Sequence, residues 1–182
     1  MLNPRIKFTY QDYLLLPEGD RRELIHGDFY MAPSPSFRHQ SISANLGMIL
    51  RDYVRRNDLG IVLWAPMDVV FTDKDVVQPD ILYISNERRD IITEANISGA
   101  PDLVIEILSP GTADRDRQLK LRLYARHGVR EYWIVDPDER SVQIMELGPE
   151  GYDKVRSLDS GEITSNLIPG LTIGIDDVFA VL

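Results

Sequence analysis

Apolar positions along the chain fall into two rhythms, and each rhythm marks an element. Ile42, Leu46, Ile49, Leu50, Tyr53 and Val54 recur at helical spacing, which predicts an amphipathic helix after the Pro33-Ser-Pro-Ser36 loop, capped by Ser36. Thr9 and Asp12 mark a shorter helix start before Tyr13 to Leu16, closed by Pro17 to Asp20. Glu23-Leu-Ile25, a His26-Gly27-Asp28 turn and Phe29-Tyr-Met31 read as a hairpin. Ile61 to Trp64, Met67 to Phe71 and Ile81 to Ile84 are apolar and β-branched, punctuated by Pro66, Asp73-Lys-Asp75 and Pro79, and read as strands. Leu103 to Leu108 has the pattern of a strand buried on both faces. A helix from about Asp114 to His127 follows, with Gly128 in the position of a C-terminal cap. Tyr132 to Val135 is another buried strand, and Val142 to Leu147 alternates as a half-exposed one. Shorter strand signals follow at Tyr152 to Val155 and Leu171 to Ile175.

Strand, helix and strand over 103–108, 114–127 and 132–135 have the lengths of a parallel crossover unit, while the first half reads as antiparallel. The expected architecture is a mixed sheet flanked by helices, α/β in class and bordering on α+β. No repeat, low-complexity stretch or Pro/Gly/Ser linker interrupts the chain, so a single domain over residues 1–182 is expected.

Composition narrows the chemistry. With no cysteine, a disulfide framework, a thiolate metal site and a cysteine nucleophile are excluded. His26, His39 and His127 are too widely spaced for a multi-histidine zinc motif, so a metal would rest mainly on carboxylates, which suits Mg or Mn. No apolar run approaches the roughly 20 residues needed to span a bilayer, and Met1 to Tyr10 lacks the form of a signal peptide. No membrane partner is expected, and the cytoplasm is the expected compartment. Net charge is −9, yet Gly111 to Arg130 carries +4 through Arg115, Arg117, Lys120, Arg122, Arg126 and Arg130. Such a segment suits either a solvated helix face or contact with a phosphate backbone.

Three charged residues break the apolar pattern. Glu106 sits inside Leu103-Val-Ile-Glu-Ile-Leu108, where an unpaired carboxylate costs several kcal/mol. A salt bridge within the sheet is its ordinary explanation. Asp80 opens a strand directly after Pro79, which a turn residue also does. On a wheel of about 100° per residue, Lys120 shares the arc of Leu119, Leu123 and Tyr124, whereas Arg122 and Arg126 fall on the other side. It either snorkels past apolar neighbours or meets the charge of Glu106. Two carboxylates chelate a hard divalent cation, and a lysine beside them orients water or stabilises charge on phosphorus. Phosphodiester hydrolysis uses all three groups; a glycosidase would use the acids and leave the lysine without a role.

Gln78-Pro-Asp80, Asp102-Leu-Val-Ile-Glu-Ile-Leu-Ser-Pro110, Asp116-Arg-Gln-Leu-Lys-Leu-Arg-Leu-Tyr124 and Gly128-Val-Arg-Glu-Tyr-Trp-Ile-Val-Asp-Pro137 occur in order. With Arg22-Glu-Leu-Ile-His-Gly-Asp-Phe-Tyr30 before them, this set closely resembles the Uma-type family of bacterial restriction-endonuclease-like proteins. The resemblance implies a PD-(D/E)XK nuclease core and Mg-dependent cleavage of DNA. It makes Asp80 the motif aspartate and Glu106 the motif glutamate, both metal ligands, with Glu23 an acid completing the site. The superfamily pattern places its lysine two residues after the glutamate, where this chain has Leu108; the resemblance implies that Lys120 supplies the ammonium from the following helix.

Gln78, His39, Arg115, Arg117 and Arg122 are candidate substrate contacts, Arg126 accompanies them on the basic helix, and Tyr124 reads as packing. No DNA-reading motif is visible. A homodimer would suit cutting both strands of a duplex, although composition does not demand one. Two other readings stand beside the nuclease: a catalytically silent nucleic-acid-binding or regulatory module that keeps the fold, and a structural protein in which Glu106 and Lys120 form a buried ion pair.

Overall fold

A computed structural model of the chain describes residues 6–17, 19–111, 113 and 115–180. Residues 1–5 of the N-terminal stretch, Glu18 in the first helix stop, and Asp114, the expected start of the basic helix, lie outside the described residues.

The chain opens with α1 (Tyr10–Tyr13), held by a capping box in which Thr9 and Asp12 satisfy each other's backbone amides. The hairpin β1 (Arg22–Ile25) and β2 (Asp28–Met31) follows, with Leu24 opposite Phe29. Helix α2 (Phe37–Arg56) starts at Ser36, whose hydroxyl accepts from the His39 amide, and buries Ile42, Leu46, Leu50 and Val54. Next come β3 (Gly60–Trp64), β4 (Val69–Thr72), β5 (Asp75–Val77), β6 (Ile81–Ser85), a 3₁₀ turn over Asn86–Ile91, and β7 (Ile97–Ser98). The crossover consists of β8 (Leu103–Ile107), a π-helical stretch Arg115–Lys120, α3 (Leu121–His127) and β9 (Glu131–Asp136). Gly128 ends α3 at φ 81°, a left-handed conformation that glycine adopts without strain. The chain closes with β10 (Ser141–Gly148), β11 (Gly151–Leu158), β12 (Glu162–Thr164), β13 (Thr172–Gly174) and α4 (Ile175–Val178).

The main sheet has the order β11-β10-β9-β8-β6-β3, antiparallel except for the expected parallel β8–β9 pair. A second sheet, β2-β1-β5-β4-β7, gathers the hairpin with two strands that the sequence pattern does not announce, β5 and β7. Asp73 and Lys74 form the turn, and Asp75 already belongs to β5. The basic helix also departs from expectation, because its first part is π-helical rather than α-helical.

The period of two along β8 sorts its side chains. Leu103, Ile105 and Ile107 pack with α2, where Leu46 and Leu50 are fully buried. Val104 and Leu108 join the opposite core with Leu123, Tyr124, Val69 and Val77, so Glu106 is directed between α3 and the second sheet. Truncating Leu50 to alanine should cost about 2–5 kcal/mol. Against α2, the Trp64 indole lies where a side chain at Gly47 would be, 1.9 Å from an added Cβ, so only glycine fits there. Among the described residues no helix is long and apolar enough to cross a membrane.

Candidate active site

A cleft of about 940 Å³ opens between the hairpin sheet, the start of α2 and the crossover, and Glu23, Asp80, Glu106, Lys120, His39 and Gln78 all line it. The sheet brings its two central acids together. Strand β6 pairs antiparallel with β8, Ile81 opposite Ile105, so Asp80 lies against the end of β8. Its Oδ2 accepts from the Ile107 amide at 2.8 Å, one residue beyond Glu106. The same oxygen meets His39 Nε2 at 3.1 Å.

Lys120 Nζ stands 2.8 Å from Glu106 Oε1, 2.8 Å from Glu23 Oε1 and 3.7 Å from Asp116 Oδ1. The lysine therefore meets the glutamate's carboxyl group, and Glu23 arrives from the hairpin to share the ammonium. Tyr124, one turn beyond Lys120, donates a short hydrogen bond to the same Glu106 oxygen. The tyrosine packs in the core, as its sequence position suggests, and also contacts the site. Glu23 Oε1 additionally accepts from the Gln78 amide at 3.1 Å, and the Gln78 side chain donates to Asp68 and to the Tyr13 hydroxyl.

Burial is the largest influence on Glu106, which is 3% exposed, and drives its pKa well above the carboxylate range. Lys120 opposes that rise, and Asp116, Asp80 and Glu23 add to it. Burial alone would lower the Lys120 pKa, but Glu106, Glu23 and Asp116 overcome it and raise the value, so the group stays an ammonium. The Tyr124 phenol, raised chiefly by burial, keeps the proton it donates.

The basic residues separate. Arg115, a candidate substrate contact, lines the cleft. Its side chain is 12% exposed, donates to the Met31 carbonyl at 3.0 Å and lies 3.7 Å from Glu23 Oε2. Arg117 is held by Asp136 at 2.6 Å. Arg122 is exposed, and Arg126 is exposed with Nη1 3.0 Å from His26 Nε2. Two residues escape the sequence reading. Asp116 lies four positions before Lys120, the same helical offset as Tyr124 after it, and that spacing was available as a signal. Asp68 precedes β4 in a segment whose pattern gives no such signal.

Among the described residues no group of three or more His, Asp or Glu side chains forms a ready cage for a metal. The donor set still fits a hard cation held by two acids. Among the described residues, hydrogen bonds reach only Oδ2 of Asp80 and Oε1 of Glu106, leaving one oxygen of each carboxylate without one, and both residues line the cleft. Mg and Mn are commonly bound by one or two carboxylates, with water and substrate phosphate completing the shell.

A family model described as "Uma2: Putative restriction endonuclease" matches residues 10–176. An uncharacterized protein of Synechocystis sp., slr1290, is 24% identical over 179 residues, covering 97% of this chain and 93% of the relative. The crystal structure of a "putative nuclease belonging to DUF820" from Anabaena variabilis superposes with a TM-score of 0.79 at 23% identity, over 94% of this chain and 97% of that one. That likeness shows a shared mixed α/β fold.

Proposed function

The chain belongs to the Uma2 family, and from that premise we propose that it hydrolyses phosphodiester bonds in DNA with Mg or Mn held by Asp80 and Glu106. One observation carries the reading: at the cleft Lys120 is locked on Glu106, and Asp80 is hydrogen-bonded to the residue beside that glutamate. A bound divalent cation supplies polarisation of a phosphate oxygen and a more acidic water. Asp80 and Glu106 hold and orient. Lys120, kept protonated by its acids, is a hydrogen-bond donor and stabilises negative charge as it develops on the phosphate. Glu23 and Tyr124 fix Lys120 and Glu106 in place, Glu23 by sharing the ammonium and Tyr124 by donating to Glu106. Burial raises the Glu106 pKa, and a metal would be held by its carboxylate form, so affinity for the metal should rise with pH. On duplex DNA two copies acting together are the expected form.

The test is Mn titration by calorimetry with single-turnover cleavage of plasmid and single-stranded DNA. Wild type should bind Mn and cleave, and Asp80→Ala and Glu106→Ala should do neither. A second reading has its own support. Glu23 belongs to one sheet and Glu106 to the other, so a lysine buried between them also braces the two sheets. Absence of Mn binding by wild type would leave that brace as the role of the cluster. Mn and DNA binding without cleavage would favour a silent module that keeps the fold.

A further inference from the structure

We propose that His39 is a positioning residue whose Nε2–H fixes the Asp80 carboxylate so that Oδ1 is the oxygen presented to the cleft. The inference rests on the metal-site reading for its functional consequence, whereas its geometry stands alone. Asp80 Oδ2 only accepts, so the ring nitrogen 3.1 Å away carries the hydrogen. The other ring nitrogen, Nδ1, is buried with no hydrogen-bond partner among the described residues.

Two donors converge on the same carboxylate oxygen, His39 Nε2–H and the Ile107 amide. Together they set the plane of the carboxylate. The amide belongs to the backbone of the strand end and survives any side-chain change; His39 is the side-chain donor. Its own place is fixed twice: its amide donates to Ser36 Oγ at 3.2 Å, and its ring is buried at the start of α2. The Pro33-Ser-Pro-Ser36 loop and the cap that ends it thus place the imidazole, and the imidazole aims the acid. His39 accordingly acts through Asp80, whereas the sequence suggested a direct substrate contact. Partners of metal-binding groups of this kind typically change metal affinity 10–100-fold when removed.

The experiment compares wild type with His39→Ala, His39→Met, which keeps length without a donor, and His39→Gln, which keeps a donor. Melting curves establish that each variant is folded. Two readouts are taken: Mn affinity by calorimetry without DNA, and the Asp80 orientation in metal-free crystals. His39→Ala and His39→Met should bind Mn about 10–100-fold more weakly, with the carboxylate turned, and His39→Gln should recover most of the loss. Wild-type Mn affinity in the donor-less variants, with only DNA affinity reduced, would overturn the proposal and make His39 a substrate contact. A His39→Gln protein as weak as His39→Met would overturn the donor role. If wild type binds no Mn, the metal reading fails by itself. The crystals then still decide, since an Asp80 carboxylate unmoved in His39→Met overturns the proposal with or without metal.

Discussion

Glu106 and Glu131 are both buried in the main sheet, on adjacent parallel strands, and both have pKa values raised first of all by burial. Their surroundings differ. Glu131 is fully buried, and neutral donors close both its oxygens: the Trp133 indole N–H at 2.6 Å and the Ser165 hydroxyl at 2.8 Å. Glu106 shares an ammonium with a second glutamate, stands near two aspartates and borders a cleft. Burial and a shifted pKa are common to the two, so neither property identifies a site. What separates them is an oxygen left open and a cation answering several acids at once.

The largest test of that contrast removes the cation. Lys120→Met leaves Glu106, Glu23 and Asp116 facing one another in a buried place, and should cost about 3–5 kcal/mol in a urea melt along with cleavage. A loss below about 1 kcal/mol would mean that the acids are solvated and the lysine is not their brace.

The two glutamine substitutions come next. Glu131→Gln sets an amide against two donors and should cost about 1–2 kcal/mol, with Mn affinity unchanged. Glu106→Gln should change stability by less than about 1 kcal/mol at neutral pH, because Lys120 retains Glu23 and one of several crowded acids is neutralised. Its Mn binding should vanish. If Glu131→Gln abolished Mn binding and Glu106→Gln did not, the assignment of the two acids would be reversed.

Metal-free stability should also fall with rising pH. Each glutamate has a folded pKa above its unfolded value near 4.3, so the folded state holds the extra proton. The stabilisation is complete below that unfolded value and is lost as pH climbs through the folded one. Either glutamine variant should flatten the slope in melts run upward from about pH 4.5, whereas added Mn should reverse only the part due to Glu106. The smallest effect belongs to Arg122, which is exposed and touches neither acid. Arg122→Ala should weaken DNA binding evenly across sequences and reduce the salt slope by about one unit.

Glu106 and Lys120 were legible in the sequence because each violates a strong apolar rhythm, and the hairpin and crossover because their turns and periods agree. Asp80 was legible through the proline before it. The second sheet was not, since β5 and β7 have three and two residues, too few to show a period. Glu131 passed unnoticed because a charge at the start of a strand beside Arg130 has the look of an exposed end, and Trp133 and Ser165 close over it only in three dimensions. The π turn was equally hidden, because composition does not distinguish it from an α turn.

The site also has a chronology. The Lys120–Glu106 bond spans 14 residues, the His39–Asp80 bond 41, and the Gln78–Glu23 bond 55. Longer loops cost more entropy to close and delay non-local pairing during folding. As the chain is synthesised, Glu23, Asp80 and Glu106 all precede the lysine that balances them. The centre therefore gains its charge balance only when the crossover docks. In pulse-labelling hydrogen exchange, protection of the Gln78 amide should arrive with that docking and not before.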